Sequence, residues 1–168
     1  MVNESSKSPD VHRPVTQVLF PTDLSSSSQL AFPEAERFAK ALGARLIVLY
    51  VAPPPDYWST GGEPVELDPE TVAALRAVRP VSSDVPVEHV THIGLAGEVI
   101  CWVAQELDCD LIVMSTHGHS GLKHLLFGSV AEYVIRHARC PVTTVRQHAA
   151  DEKRLPEPQV YQRMPPII

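Results

Sequence analysis

The residues best suited to chemistry lie in a segment rich in glycine and serine. It reads Ser115-Thr116-His117-Gly118-His119-Ser120-Gly121 and ends in Gly128-Ser129, directly before a stretch with helical periodicity. Glycine lets backbone N–H groups approach an anion without an intervening Cβ atom. A helix that begins at Ser129 would add N–H groups without helical partners and the positive end of its dipole. Together these features describe a phosphate-binding loop at a helix N-terminus.

The same glycines have a purely structural interpretation. Gly118, Gly121 and Gly128 could form a tight turn and allow close helix packing, and the sequence does not choose between the two interpretations. Two other phosphate-binding motifs are absent from the sequence. There is no GxxxxGK[ST] loop and no GxGxxG fingerprint, and the first strand-to-helix turn contains no glycine.

The three histidines near this segment raise the question of a metal site. They are His117, His119 and His124. Their spacing does not match one helix face, and no nearby cysteine or acid completes a ligand set. We therefore expect no protein-ligated metal. The three cysteines of the chain form no CxxC pair, and this sparse, odd number is typical of a reducing compartment.

Short apolar runs alternate with helical patterns five times along the chain. The predicted strands are Gln17–Pro21, Leu46–Val51, Val85–Val90, Leu111–Met114 and Pro141–Val145. Runs without polar alternation are typical of strands buried on both faces of a parallel sheet. The third run contains Pro86 and Glu88, which favours an edge strand. The pattern predicts an α/β fold with a five-stranded parallel doubly wound sheet and helices on both faces. We expect it to be Rossmann-like, with strand order 3-2-1-4-5.

Helix-start signals follow several of these runs. Four serines, Ser25 to Ser28, are N-cap candidates for a helix that reaches about Leu42, and Pro33 predicts either a kink or a later start. The pair Ser129 and Glu132 matches a capping box. Ligands of doubly wound sheets bind beyond the carboxyl ends of the strands. The loop after the first strand, which carries Asp23, is therefore a second candidate site, although Asp23 by itself reads as a helix-entry cap.

Length and composition predict one domain with two tails. The chain has 168 residues, 44% of them apolar, and a net charge of −6. We expect a disordered lead-in over 1–15, a domain over 16–146 and a proline-containing tail over 147–168. No apolar run approaches the roughly 20 residues of a membrane span, and the polar N-terminus lacks a signal-peptide core. We therefore expect a cytoplasmic protein without membrane contact.

The charge balance also bears on the kind of ligand. An acidic chain is a poor candidate for broad nucleic-acid binding, so we expect no nucleic-acid partner. Residues 115–146 nevertheless contain four basic residues and one acidic residue. The proposed phosphate segment is therefore locally basic, and the acidity of the whole chain does not oppose an anionic ligand.

Several blocks of the chain resemble a known family. Val113–Leu122, Leu125–Glu132 and His137–Val142 strongly resemble the universal stress protein family, and Val18–Ser25 resembles its opening strand and turn. The likeness covers about residues 16–146. It implies a stress-response protein that binds ATP or another adenine nucleotide, with Mg²⁺ accompanying the triphosphate. It also implies a homodimer through the fifth strand, Val142 to Val145, whose exposed edge would be covered in this way.

The ATP-binding branch of that family has a signature of Gly, two residues, Gly, nine residues, then Gly-Ser or Gly-Thr. On this chain the second and third glycines fall on Gly118 and Gly128, and Ser129 follows. The first glycine position is occupied by Ser115, which is a departure from the signature. Serine keeps the backbone N–H but adds a Cβ atom and a hydroxyl group at a position close to the expected ligand.

The resemblance implies a role for each candidate site residue. Asp23 would accept hydrogen bonds from ribose hydroxyls, the Val51 backbone would meet the adenine, and Met114 would line the pocket. Ser115 would stand beside the ligand at the first signature position. The phosphates would lie against the remaining residues, Gly118, His119, Gly128, Ser129 and Val130.

No catalytic set accompanies these residues in the sequence. GxSxG, HExxH and paired-acid motifs are absent, and Asp23 is the only acid on a candidate site loop. We therefore expect a nucleotide-binding protein rather than an enzyme. The alternative is a protein–protein interaction module of the same fold that binds no nucleotide. A third hypothesis, slow ATP hydrolysis, lacks a recognisable catalytic group.

Overall fold

The described part of the chain contains five strands, and at least one helix separates each strand from the next. The structure of the protein, a computed structural model, describes residues 14–54, 66–116 and 128–146. The strands are β1 Gln17–Thr22, β2 Arg45–Ala52, β3 Val87–Ile93, β4 Leu111–Ser115 and β5 Val142–Val145. The helices are α1 Ser26–Gln29, α2 Phe32–Leu42, α3 Pro69–Ala77, α4 Ala96–Glu106 and α5 Ser129–His137. All strands pair in parallel in the order β3-β2-β1-β4-β5, which confirms the predicted fold class and strand order.

The middle strands of the sheet are buried on both faces. Side chains of a strand alternate between the two faces, so neighbouring residues enter different cores. In β1, Val18 and Phe20 pack beneath α2 and α3, whereas Leu19 packs beneath α4 and α5. The same alternation divides Leu46 to Leu49 in β2, all of them fully buried. Helices therefore cover both faces, as expected for apolar strands without polar alternation.

The amino ends of β1 and β4 are tied together by one carboxylate. Asp110 Oδ2 accepts hydrogen bonds from the backbone N–H of Thr16 at 2.7 Å and of Gln17 at 3.1 Å. The Thr16 hydroxyl donates to the same oxygen at 3.1 Å. These bonds support the register in which Val18 lies beside Leu111. Because β1 and β4 are adjacent and parallel, the loops that follow them emerge side by side at the opposite edge of the sheet.

The structure decides three local features that the sequence left open or misassigned. The serine-rich helix is divided into α1 and α2, and Pro33 lies in the first turn of α2, where its missing N–H costs no helical hydrogen bond. The third strand is an edge strand as predicted, but it begins after Pro86 and extends to Ile93. The predicted capping box is wrong, because Gly128 is the N-cap of α5 and no side chain caps that helix.

The predicted division into a lead-in, a domain and a tail stays a prediction. Residues 1–13 of the lead-in and the whole tail, 147–168, lie outside the described residues.

None of the described helices could cross a membrane. The longest have eleven residues, and none has the length and apolar character needed to cross a bilayer.

Candidate functional site

A cleft of about 320 Å³ opens at the carboxyl edge of the sheet. It lies where the strand order reverses, because β1 has β2 on one side and β4 on the other. This switch point is the usual ligand site of doubly wound sheets. The lining residues come from the end of β1 and the loop and short helix α1 that follow it, from the carboxyl-terminal parts of β2 and β4, and from the N-terminal parts of α4 and α5.

The cleft brings together most of the residues that the sequence predicted for a site. Seven of them line it: Asp23, Val51, Met114, Ser115, Gly128, Ser129 and Val130. The other two, Gly118 and His119, lie outside the described residues, as do His117 and His124. Within the described ranges, no group of three or more histidines, cysteines and acids is arranged to hold a metal ion.

One wall of the cleft is the loop between β1 and α1. The Asp23 carboxylate oxygen Oδ1 accepts the backbone N–H of Ser25 at 3.0 Å and its hydroxyl at 2.6 Å. Ser25 is the N-cap of α1, and its Oγ accepts the N–H of Ser28 at 3.1 Å. Asp23 therefore supports the helix entry through Ser25, as its local sequence suggested. The same residue also forms part of the cleft wall.

The opposite wall is the N-terminus of α5. Gly128 has an extended backbone with φ −69° and ψ 157°, and its N–H donates to the Thr116 carbonyl oxygen at 2.7 Å. Ser129, Val130 and Ala131 follow in the first turn and line the cleft. The first N–H groups of an α-helix have no partners within the helix, and they lie at the positive end of the dipole. This wall can therefore bind an anion.

The floor between the two walls is apolar. Leu49 is fully buried, and Met114 and Ile100 are 6% and 3% exposed. Val51 is half-buried at the end of β2, and Ala96 opens α4 beside it. A flat apolar group can pack against such a floor while its polar substituents reach the walls.

Three buried hydroxyl residues of the cleft were not singled out from the sequence as site residues. Thr22, Ser28 and Thr116 are at most 7% exposed, and each lines the cleft. Thr22 ends β1, and Thr116 directly follows β4. A polar residue at the carboxyl end of an apolar run was the signal that could have identified these two. Ser28 offered no such signal, because it was one of four adjacent cap candidates.

The cysteines lie away from the cleft and have the character of core residues. Cys109 and Cys140 precede β4 and β5, at the amino edge of the sheet. Burial raises the pKa of the Cys109 thiol to about 12, and it also raises the pKa of Cys101 and Cys140. Cys109 is buried and the other two are half-buried, and a thiol with a raised pKa stays protonated and weakly reactive near neutral pH.

Comparison with known protein families shows which family the chain belongs to. Residues 14–146 match the universal stress protein family. The chain belongs to this family. Universal stress protein MJ0531 of Methanocaldococcus jannaschii is 34% identical to the chain over 142 residues, which cover 78% of this chain and 82% of that relative.

Solved structures of other universal stress proteins share the fold. The universal stress protein UspA from Lactobacillus plantarum superposes with a TM-score of 0.65 at 27% identity, over 80% of this chain and 99% of its own. A universal stress protein in complex with cAMP superposes with a TM-score of 0.62 at 25% identity, over 80% of this chain and 98% of its own. The arrangement of the sheet and helices is therefore that of the family.

Proposed function

We propose that this universal stress protein binds an adenine nucleotide, with ATP as the first ligand to test, in the cleft at the switch point. The observation that supports this proposal is the polarity of the cleft. A carboxylate lies in one wall, the N-terminus of α5 forms the other, and an apolar floor joins them. A ribose, a phosphate group and a purine ring need these three environments. The related protein in complex with cAMP adds support from within the family.

The proposed roles follow the chemistry of each wall. Asp23 accepts hydrogen bonds from the ribose, and the Val51 backbone and the Met114 side chain contact the adenine. The N–H groups of the α5 turn, from Gly128 to Val130, bind phosphate oxygens. Gly118 and His119 are proposed for the same phosphate site on the basis of the family signature. Mg²⁺ would reach the site on the triphosphate, held mainly by phosphate oxygens and water.

Binding rather than turnover is the activity that we propose. Asp23 is the only acidic residue among the described residues that line the cleft. Phosphoryl transfer needs a group that orients the attacking nucleophile in addition to groups that bind the phosphates. Asp23 is already assigned to the ribose in this proposal, so it is not available for that task.

Calorimetric titration with ATP, with and without Mg²⁺, tests the proposal. We expect the wild type to bind and Asp23→Asn to bind about 10- to 100-fold more weakly, because a hydrogen bond to a charged acceptor is worth about 1.5–3 kcal/mol. Asparagine can still accept from Ser25, so the loop should keep its shape. Asp84→Asn, at an exposed acid in the loop before β3, is the matched control and should bind like the wild type. No binding of wild-type protein at millimolar ATP would leave the interaction module as the better hypothesis.

We further propose that two copies associate through β5 in a cytoplasmic homodimer. β5 is an edge strand, and in the described part of the chain it pairs only with β4. Its four residues are half-buried rather than fully exposed. Edge strands present backbone donors and acceptors to a further strand, so a second copy of β5 is a suitable partner.

Light scattering at micromolar concentration measures this association directly. We expect a dimeric mass for the wild type and a shift towards the monomer for Thr143→Lys, because charge on an edge strand opposes edge pairing. Thr91→Lys places the same charge on β3, the other edge strand, and should remain dimeric. A monomeric wild type would contradict the proposal, and a dimer disrupted only by Thr91→Lys would move the interface to β3.

A further inference from the structure

The loop between β1 and α1 is held in one conformation by its own hydrogen bonds. Leu24 has φ +62°, a left-handed backbone that leucine rarely adopts, and its N–H donates to the Thr22 hydroxyl at 3.0 Å. This turn directs the chain from Asp23 into the cap of α1. Unusual backbone conformations of this kind persist only where the surrounding contacts enforce them. The loop is therefore ordered by contacts between its own residues.

Within this loop, Ser25 controls the orientation of the Asp23 carboxylate. A carboxylate only accepts, so both the N–H and the hydroxyl of Ser25 donate to Oδ1, at 3.0 Å and 2.6 Å. The Ser25 oxygen meanwhile accepts the N–H of Ser28 at 3.1 Å. The single hydroxyl proton of Ser25 is therefore used in the hydrogen bond to Asp23. Rotation of the carboxylate would break two bonds to one residue.

The two buried hydroxyls beside this pair also have defined proton positions. Ser28 Oγ lies 3.0 Å from the Ser25 carbonyl oxygen and 2.9 Å from Thr22 Oγ1. A carbonyl only accepts, so the Ser28 proton points to Ser25. The proton between Thr22 and Ser28 must then come from Thr22, whose oxygen accepts from Leu24. The hydroxyl protons of Thr22 and Ser28 are therefore both used in hydrogen bonds within the protein, and neither is available to a ligand.

The two walls of the cleft therefore have opposite hydrogen-bonding character. Thr22, Ser28 and Asp23 can present only acceptors to a ligand, whereas the first turn of α5 presents N–H donors. An acceptor wall suits hydroxyl groups and repels phosphate oxygens. A ligand with hydroxyls at one end and an anion at the other is thereby bound in a single direction.

We infer that Ser25 is a positioning residue for ligand recognition. It holds the Asp23 carboxylate in the orientation that accepts the sugar hydroxyls, and through Asp23 it makes the site select ribonucleotides over nucleotides that lack those hydroxyls. This inference rests on the proposed function, because it concerns the same cleft and the same ligand. A site that hydrogen-bonds the hydroxyl groups of its ligand discriminates strongly against an analogue that lacks them.

Titration with ATP and with 2′,3′-dideoxy-ATP separates positioning from a merely structural role. We expect the wild type to bind ATP at least about tenfold more tightly than the dideoxy compound. Ser25→Ala should lose about tenfold in ATP affinity and stay within about twofold for the dideoxy compound. A structural role would weaken both nucleotides equally. Ser26→Ala, at the exposed neighbouring serine, is the control and should behave like the wild type.

Two more variants keep the test decisive if Ser25→Ala folds poorly. Ser25→Gly removes the hydroxyl but keeps an acceptable N-cap, whereas Ser25→Thr restores the hydroxyl and should restore the preference for ATP. In an Asp23→Ala background, Ser25→Ala should cause no further loss. Equal losses for both nucleotides, or unchanged ATP affinity in Ser25→Ala and Ser25→Gly, would overturn the inference. A wild type that binds neither nucleotide would overturn the proposed function instead.

Discussion

Gly128→Val is expected to lower the affinity for ATP by about 10- to 100-fold while the protein remains folded. Gly128 lines the cleft directly before the first turn of α5, where the phosphates are proposed to bind. Valine adds three carbon atoms at that position, and overpacking of a close-fitting site costs about 1–3 kcal/mol. The backbone at Gly128 is extended, with φ −69°, so an L-residue can adopt it without strain.

Calorimetry measures the ATP affinity of the variant, and thermal unfolding shows whether it remains folded. Gly128→Ala provides a graded control, because it adds only one carbon atom and should bind between the wild type and Gly128→Val. The hydrogen bond from the Gly128 N–H to Thr116 remains possible in both variants. Wild-type affinity in a folded Gly128→Val protein would show that the phosphates bind elsewhere.

Phe20→Ala is expected to lower the free energy of unfolding by about 3–5 kcal/mol, the range typical of large-to-small changes in a core. Phe20 is fully buried in β1, the central strand of the sheet. Its ring meets that of Phe32 edge to face, with 5.3 Å between the centroids. Alanine would leave a cavity that a central strand, paired on both sides, cannot close by moving.

Urea unfolding followed by circular dichroism gives the magnitude. Phe20→Leu, which retains most of the volume, should lose much less stability, and Phe32→Ala should lie below Phe20→Ala because Phe32 is only half-buried. ATP affinity of the folded Phe20→Ala protein should change little, since Phe20 packs on the face away from Ile100 and Met114. A loss below about 1 kcal/mol would contradict the central position of β1 in the core.

The fold class could be predicted from the sequence because its determinants are local. Leu46 to Val51 and Leu111 to Met114 are apolar without alternation, and a strand of this composition must be covered on both faces. Regular alternation with helices then leaves few topologies. Helix boundaries depend on competing local signals, which explains the wrong capping box. Ser129 and Glu132 fit that motif, but the extended backbone at Gly128 made the glycine the N-cap.

The sequence by itself thus determined the apolar strands, the parallel sheet and the edge position of β3. It also indicated the family, through the blocks of sequence around Gly118 and Gly128. Only the tertiary structure decided that Asp23 and Ser129 face one cleft, and that Thr22 and Ser28 commit their protons away from it. The physical reason is the range of the interactions. Periodicity and turn chemistry act within a few residues, whereas a cleft wall and the direction of a buried hydroxyl depend on register and on contacts between distant elements.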